Sequence, residues 1–207
     1  MGDDPGLVLA STSRWRAELL ARLELPFTSA APRLDERGED HLFATLGPRE
    51  FALHLARAKA RSLSTVGEDG GAWILAADQL AVLDEAQGPV LLHKPETEAR
   101  AVEQLMRLRG RTHRLITAVV LTRAGSEHHE IDEQRMTMRA FPRAEAEAYV
   151  ARHQPLDSVG AYHIEDAGIR LFERVEGEDY TGIIGLPLLA VCRLLRAAGL
   201  LPRLEAR

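Results

Sequence analysis

The chain has 207 residues, 45% of them apolar and 28% charged, and a formal net charge of −5. That length suits one globular domain able to bury a sizeable core, and the acidic balance argues against a basic face that wraps a polynucleotide. The single cysteine, Cys192, excludes an intrachain disulfide and favours a reducing compartment.

The first apolar run, Leu7-Val8-Leu9-Ala10, is too short for the core of a signal segment and reads as a buried strand. No run approaches the ~18 residues of a membrane span, so a cytoplasmic protein is expected. Ser11-Thr12-Ser13 follows, with Ser11 or Ser13 as N-cap, and Trp15, Leu19, Leu20 and Leu23 predict a helix over 15–25 that ends at Pro26. Residues 28–47 read as irregular. Gly47-Pro48 opens a second helix, with Phe51, Leu55, Ala58 and Ser62 on one face. Residues 68–71 form a polar turn. Residues 72–77 read as a buried strand that 80–83 continue or follow, and 90–92 as a short strand.

Thr97 caps a third helix that Gly110 stops. Residues 112–122 are strongly β-prone, 123–126 turn, and 131–141 read as the partner strand, with His128-His129 in the polar turn region. Residues 144–153 predict a fourth helix, 168–175 a further strand, and 187–198 a last helix containing Cys192 as a small core residue. Alternating strands and helices with a central hairpin indicate an α/β fold on a mixed sheet, with no linker, repeat or low-complexity tract.

Five places carry chemistry. Ser11, Ser13, Arg14 and Arg16 stand at a strand-to-helix junction, where free backbone N–H groups and a partial positive charge favour phosphate. No Walker loop accompanies them. Asp78-Gln79 ends an apolar strand, placing an acid where it can hold a cation or activate water. Lys94 follows a short strand and precedes Pro95, as a point charge for phosphate. Asp35-Glu36 and Lys59 could supply a cation ligand and a phosphate clamp. Glu165 could accept from the two N–H donors on guanine's Watson–Crick edge. Each has a plain alternative: an ordinary helix cap, a solvated strand-end acid, a turn lysine, a helix-face charge or a loop acid. The eight histidines show no metal-ligand spacing, and no Gly-x-Ser-x-Gly elbow is present.

In order, the stretches Leu7-Val8-Leu9-Ala10-Ser11-Thr12-Ser13, Ala31-Pro32-Arg33-Leu34-Asp35-Glu36, Ala56-Arg57-Ala58-Lys59-Ala60, Asp78-Gln79, His93-Lys94-Pro95, Gly110-Arg111-Thr112-His113 and Gly185-Leu186-Pro187-Leu188 resemble the Maf family of nucleotide pyrophosphatases, also called septum-formation-inhibitor-like proteins. Each stretch is weak alone, but the ordered set is specific. Trp15, Gln79, Glu165 and residues 168–177 look most like the branch that acts on 7-methyl-GTP. Arg14, Ala17 and His93 depart from the usual Pro, Arg and Gly of the family.

The resemblance implies one domain over 1–207, built as a mixed twisted sheet flanked by helices. Two lobes enclose a cleft, as in the inosine-triphosphate pyrophosphatase fold, and the protein pairs as a homodimer. It also implies hydrolysis of a nucleoside triphosphate to monophosphate and diphosphate, with Asp78 as proton acceptor and a divalent cation, Mg²⁺ or Mn²⁺, held by Glu36 and Asp78. Lys59, Lys94, Arg16, Ser11 and Ser13 would hold the triphosphate, while Trp15, Gln79 and Glu165 would face the rest of the substrate. An indole face and a carboxylate suit the delocalised positive charge of N7-methylguanine. The alternatives are the same reaction on dTTP, UTP or a non-standard nucleotide in a house-cleaning role, or a nucleotide-binding regulator of cell division.

Overall fold

The computed structural model describes residues 6–63 and 71–201. The turn read at 68–71 therefore lies, Gly71 apart, outside the described residues. A seven-stranded sheet is the frame, in the order β2-β1-β3-β5-β6-β7, with β4 paired to part of β3. The strands are β1 (Leu7–Ala10), β2 (Thr28–Ala30), β3 (Trp73–Glu85), β4 (Gly88–Leu92), β5 (Thr112–Arg123), β6 (Ser126–Met138) and β7 (Phe172–Glu176). The helices are α1 (Arg14–Ala21), α2 (Phe43–Arg61), α3 (Glu98–Leu108), α4 (Arg143–His153), α5 (Thr181–Ile184) and α6 (Leu188–Ala197). β1 runs parallel to β2 and β3, and the other pairings are antiparallel, so the sheet is mixed.

The strands β3 and β5 run the length of the molecule, and their alternation sorts the core. Ile74, Ala76, Leu80, Val82, Ile116, Ala118 and Val120 face one way and pack against α2 in a single apolar layer. The opposite face carries two separate layers. Trp73, Leu75, Ala77, Val119 and Leu121 meet α1 and α6, whereas Ala81, Leu83 and Leu115 meet α3 and α4. Between them stand Gln79 and Thr117, whose polar side chains bond each other at 3.0 Å. This polar seam divides the second face.

Several boundaries differ from the sequence expectations for local reasons. α1 stops at Ala21, because the backbone tightens into i→i+3 bonds at Arg22, Leu23 and Glu24, and Glu24 takes a positive φ of 56°. Residues 28–47 are not wholly irregular: they contain β2, a 3₁₀ turn (Arg37–Leu42) and a first helical turn from Phe43. Gly47, at φ 74°, kinks α2 there, and Pro48 restarts it as expected. The buried stripe of α2 includes Ala52, Ala56 and Lys59, while Ala58 is only half-buried. The two expected runs, 72–77 and 80–83, merge into one unbroken strand, Trp73–Glu85. β6 begins at Ser126, after a tight turn whose residues Ala124 and Gly125 both have positive φ, so His128 and His129 lie in a strand and not in a turn. Residues 168–171 belong to a 3₁₀ turn (Ala167–Leu171), and only 172–176 are extended. Cys192 is half-buried and not a core residue.

Candidate active site

The site arises where the sheet forks. On one edge of β3, parallel β1 ends with Ala10 opposite Ala76, and antiparallel β4 ends with Leu92 opposite Ala81. Both neighbours therefore finish at their carboxyl ends beside residues 77–80, which keep only β5 on the other edge. Chain leaving β1 supplies Ser11 to Arg16, and chain leaving β4 supplies His93 and Lys94. Ligands favour such a crevice beyond strand carboxyl ends.

Asp78 stands in the fork on the α2 face of β3, 3% exposed. Lys59 on the buried stripe of α2, 5% exposed, reaches it: Nζ donates to Asp78 Oδ1 at 2.5 Å and lies 2.8 Å from Glu36 Oε1. One ammonium thus joins both carboxylates. Burial raises the Glu36 pKa, but Lys59, Lys94 and Arg16 outweigh it and hold the group below its ordinary range. Arg16 fills the fork from the other side. Its Nη1 donates to the carbonyl of Ala77 at 2.8 Å and its Nε to Gly185 O at 2.9 Å. Burial lowers its pKa, opposed by Asp78 and Glu36.

Ser13 is the N-cap of α1, its hydroxyl accepting from Arg16 N at 3.4 Å, and buried Ser11 accepts from Ser13 N at 3.1 Å. The guanidinium of Arg14 lies 4.1 Å over the Trp15 ring, and both residues line the cleft. His93 turns to Asp40, 3.5 Å away.

Ser11, Ser13, Trp15, Arg16, Glu36, Lys59, Asp78, Gln79, Lys94 and Glu165 all line one cleft of about 490 Å³. The far wall is the loop 157–165. Glu165 lies at the mouth, where packing around its carboxyl raises its pKa. Gln79 also bridges the seam, donating to Gly182 O at 2.6 Å.

Sequence reasoning missed the supports of this wall. Tyr162 lines the cleft and its hydroxyl meets His113 Nε2 at 2.8 Å. His113 is fully buried, its Nδ1 without a hydrogen-bond partner, and burial drops its pKa to about 4. Asp179 accepts from Thr181 N and Oγ1 and from Leu189 N, pinning the loop that presents the Gly182 and Gly185 carbonyls. Only the stretch Gly185-Leu186-Pro187-Leu188 hinted at that loop.

Among the described residues no group of three or more His, Cys, Asp and Glu is placed to hold a metal ion. The donors available are the carboxylates of Glu36 and Asp78. Such a sparse all-oxygen set fits a hard cation that keeps most of its shell for water and phosphate oxygens. Among the same residues no helix is long and apolar enough to cross a membrane.

Known proteins are similar to this chain over nearly its whole length. A 7-methyl-GTP pyrophosphatase of Chromohalobacter salexigens is 40% identical over 198 residues, covering 95% of this chain and 97% of that protein. One of Xanthomonas oryzae pv. oryzae is 40% identical over 195 residues, covering 94% and 97%. One of Bdellovibrio bacteriovorus is 38% identical over 194 residues, with the same coverage. The model of the Maf-like protein family matches residues 6–198, and this chain, with its forked mixed sheet, belongs to that family.

Proposed function

We propose that this protein hydrolyses 7-methyl-GTP to 7-methyl-GMP and diphosphate. The observation that carries the reading is the buried Asp78, set in a sheet fork among Arg16, Lys59 and Lys94. At that end of the cleft the three cations face the carboxylates of Asp78 and Glu36, while the other two acids of the lining, Asp157 and Glu165, stand on the loop opposite, so the positive charge is gathered where a polyphosphate would lie. The names of the relatives support the choice of substrate.

In this reading the triphosphate enters along the first turn of α1, where Ser11, Ser13 and the helix N-terminus meet phosphate oxygens. Lys59 transfers its hydrogen bond from Asp78 to a phosphate, which frees Asp78 Oδ1 to accept a proton from water attacking the α-phosphorus. Arg16, fixed by two carbonyls, and Lys94, on the opposite lip, hold the transferred charge without reorganising. A Mg²⁺ or Mn²⁺ ion held by Glu36 and Asp78 would neutralise phosphate charge and lower the pKa of the attacking water. The indole of Trp15, which lines the cleft, would stack the cationic base. A cationic ring beside Glu165 offsets the burial that raises its pKa, so the carboxylate accepts from the base more readily. A cytoplasmic house-cleaning role and a homodimer are carried from the family resemblance.

The test is diphosphate release by the purified protein with Mg²⁺ or Mn²⁺, comparing 7-methyl-GTP with GTP, dTTP, UTP and CTP. Preference for 7-methyl-GTP, lost in Trp15→Ala and Glu165→Gln, is the expected result. Preference for a pyrimidine triphosphate would refute the base assignment while keeping the reaction. No release from any of the five would refute the reaction.

A further inference from the structure

A second hollow, of about 590 Å³, opens beside the first, and Lys94 lines both. β4 and the start of α3 build it. Leu91 and Pro95 are its apolar surfaces, Ala99 lies on its α3 side, and Arg37 and Arg100 line its rim. Both guanidinium groups pair with one carboxylate, Glu96, at 2.5 and 3.3 Å. Glu96 is itself pinned by its N–H, which donates to Leu156 O at 3.1 Å. The two exposed guanidinium groups thus share one anchor at the rim, and the volume falls in the range of small-molecule sites. Hydrolysis of a simple triphosphate in the first cleft leaves it unused.

Its position says what it would take. In the reading given above, the base lies by Trp15 and Glu165, and the phosphates run past Arg16 and Lys59 to Lys94. A group on the terminal phosphate would then continue beyond Lys94 into the second hollow. Apolar surface and two tethered guanidinium planes suit a nucleoside, whose base can stack on them. Arg107 also lines this hollow but is paired with Glu85 at 2.9 Å, and Asp40 and Glu103 line it as acids, so no surplus of positive charge awaits a further phosphate. The complementarity is thus to one nucleoside and not to a longer polynucleotide.

We propose that the second hollow receives the distal nucleoside of a dinucleoside triphosphate, so that the protein cleaves 7-methylguanosine joined 5′-to-5′ to a second nucleoside. The step needs only water. The water oxygen bonds to the phosphorus nearest 7-methylguanosine, and the bond from that phosphorus to the next bridging oxygen breaks. The bridging oxygen leaves with the nucleoside diphosphate, and the water's proton passes to Asp78. The products are 7-methyl-GMP and a nucleoside diphosphate. The inference rests on the first cleft's acting as proposed.

The experiment compares 7-methyl-GTP with 7-methyl-GpppG as substrates, products being separated by anion-exchange chromatography, for the wild type and for Ala99→Trp. Ala99 is exposed in the first turn of α3, so a large side chain there fills the hollow without entering the core. The wild type is expected to convert 7-methyl-GpppG to 7-methyl-GMP and GDP. Ala99→Trp should cut kcat/KM on the dinucleotide by roughly tenfold or more, with 7-methyl-GTP within about twofold. Arg100→Ala, which leaves the hollow open, should weaken the dinucleotide alone, mainly in KM. Turnover of 7-methyl-GTP with an inert dinucleotide would overturn this proposal only, as would equal effects of Ala99→Trp on both substrates. If both compounds were inert, the reading of the first cleft would fall with it.

Discussion

Replacing Lys59 by methionine removes the cation that joins Asp78 and Glu36, and the structure says how much that should cost. Asp78 is 3% exposed and loses a 2.5 Å partner, so the loss is that of a broken buried ion pair, about 3–5 kcal/mol. Glu36 adds little, because its side chain is 49% exposed and water replaces the ammonium. Asp78→Asn is a different perturbation. Lys59 keeps Glu36 at 2.8 Å, and the new amide still offers an acceptor, so about 1 kcal/mol is expected. Urea unfolding at neutral pH measures both. Lys59→Met should lower the midpoint by about 1 M or more relative to Asp78→Asn, at an unchanged slope. The double variant should recover most of the loss, because removing both partners leaves no buried charge alone. Both single variants should lose diphosphate release, Asp78→Asn by about 10²–10⁴-fold. A Lys59→Met protein as stable as Asp78→Asn would refute the bridging geometry.

Three further outcomes follow. His113 is held neutral, with its pKa lowered to about 4 from 6.5, so acid protonates the unfolded chain first. Its stability contribution is intact above pH 6.5 and is lost on acidification to about 4, at about 1.4 kcal/mol per pH unit and about 3 kcal/mol in all. His113→Gln should flatten the pH dependence of urea stability in that window, and an unchanged slope would refute the burial. A Cβ at Gly168 would lie 2.2 Å from the carbonyl oxygen of His163. Gly168→Ala should therefore displace the loop carrying Glu165 and raise KM more than it lowers kcat, as steady-state kinetics would read. Chelation should abolish turnover, with Mg²⁺ or Mn²⁺ restoring it. Because only two carboxylates are at hand, Mg²⁺ alone should leave the thermal midpoint unchanged until nucleotide is added.

Much of the fold was legible because its central strands are mostly apolar. β1, β3 and β5 lie inside the sheet and read as hydrophobic runs whatever covers them. Thr97 and Gly110 bracket α3 in the way local chemistry demands. The 3₁₀ turn at 167–171 was not legible, since Gly-Ile-Arg-Leu carries apolar residues at a spacing that a short strand shares. Cys192 misled because a cysteine among leucines looks buried, while the face of α6 that it occupies is only partly covered. As for the site, residues close in sequence to a strand end could be named one by one, and the cleft does gather them. What sequence could not supply was their convergence: a fork depends on where β1 and β4 stop against β3, a matter of register over more than eighty residues. The Arg16 bond to Gly185, 169 positions away, and the Tyr162–His113 support are long-range facts of the same kind.

The fork also determines what can move. β3 and β5 pass unbroken beneath both apolar layers of the second face, so bringing the cleft walls together as rigid blocks would have to twist two strands held by a continuous ladder. Asp78 rides on one of those strands. In the proposed reaction the proton acceptor would thus be anchored to a strand paired along its whole middle, and substrate capture would fall to the short segments that end at Lys94 and Glu165. On the proposed reading, changes of base preference would fall on those two segments and the first turn of α1, with Asp78 left where it is.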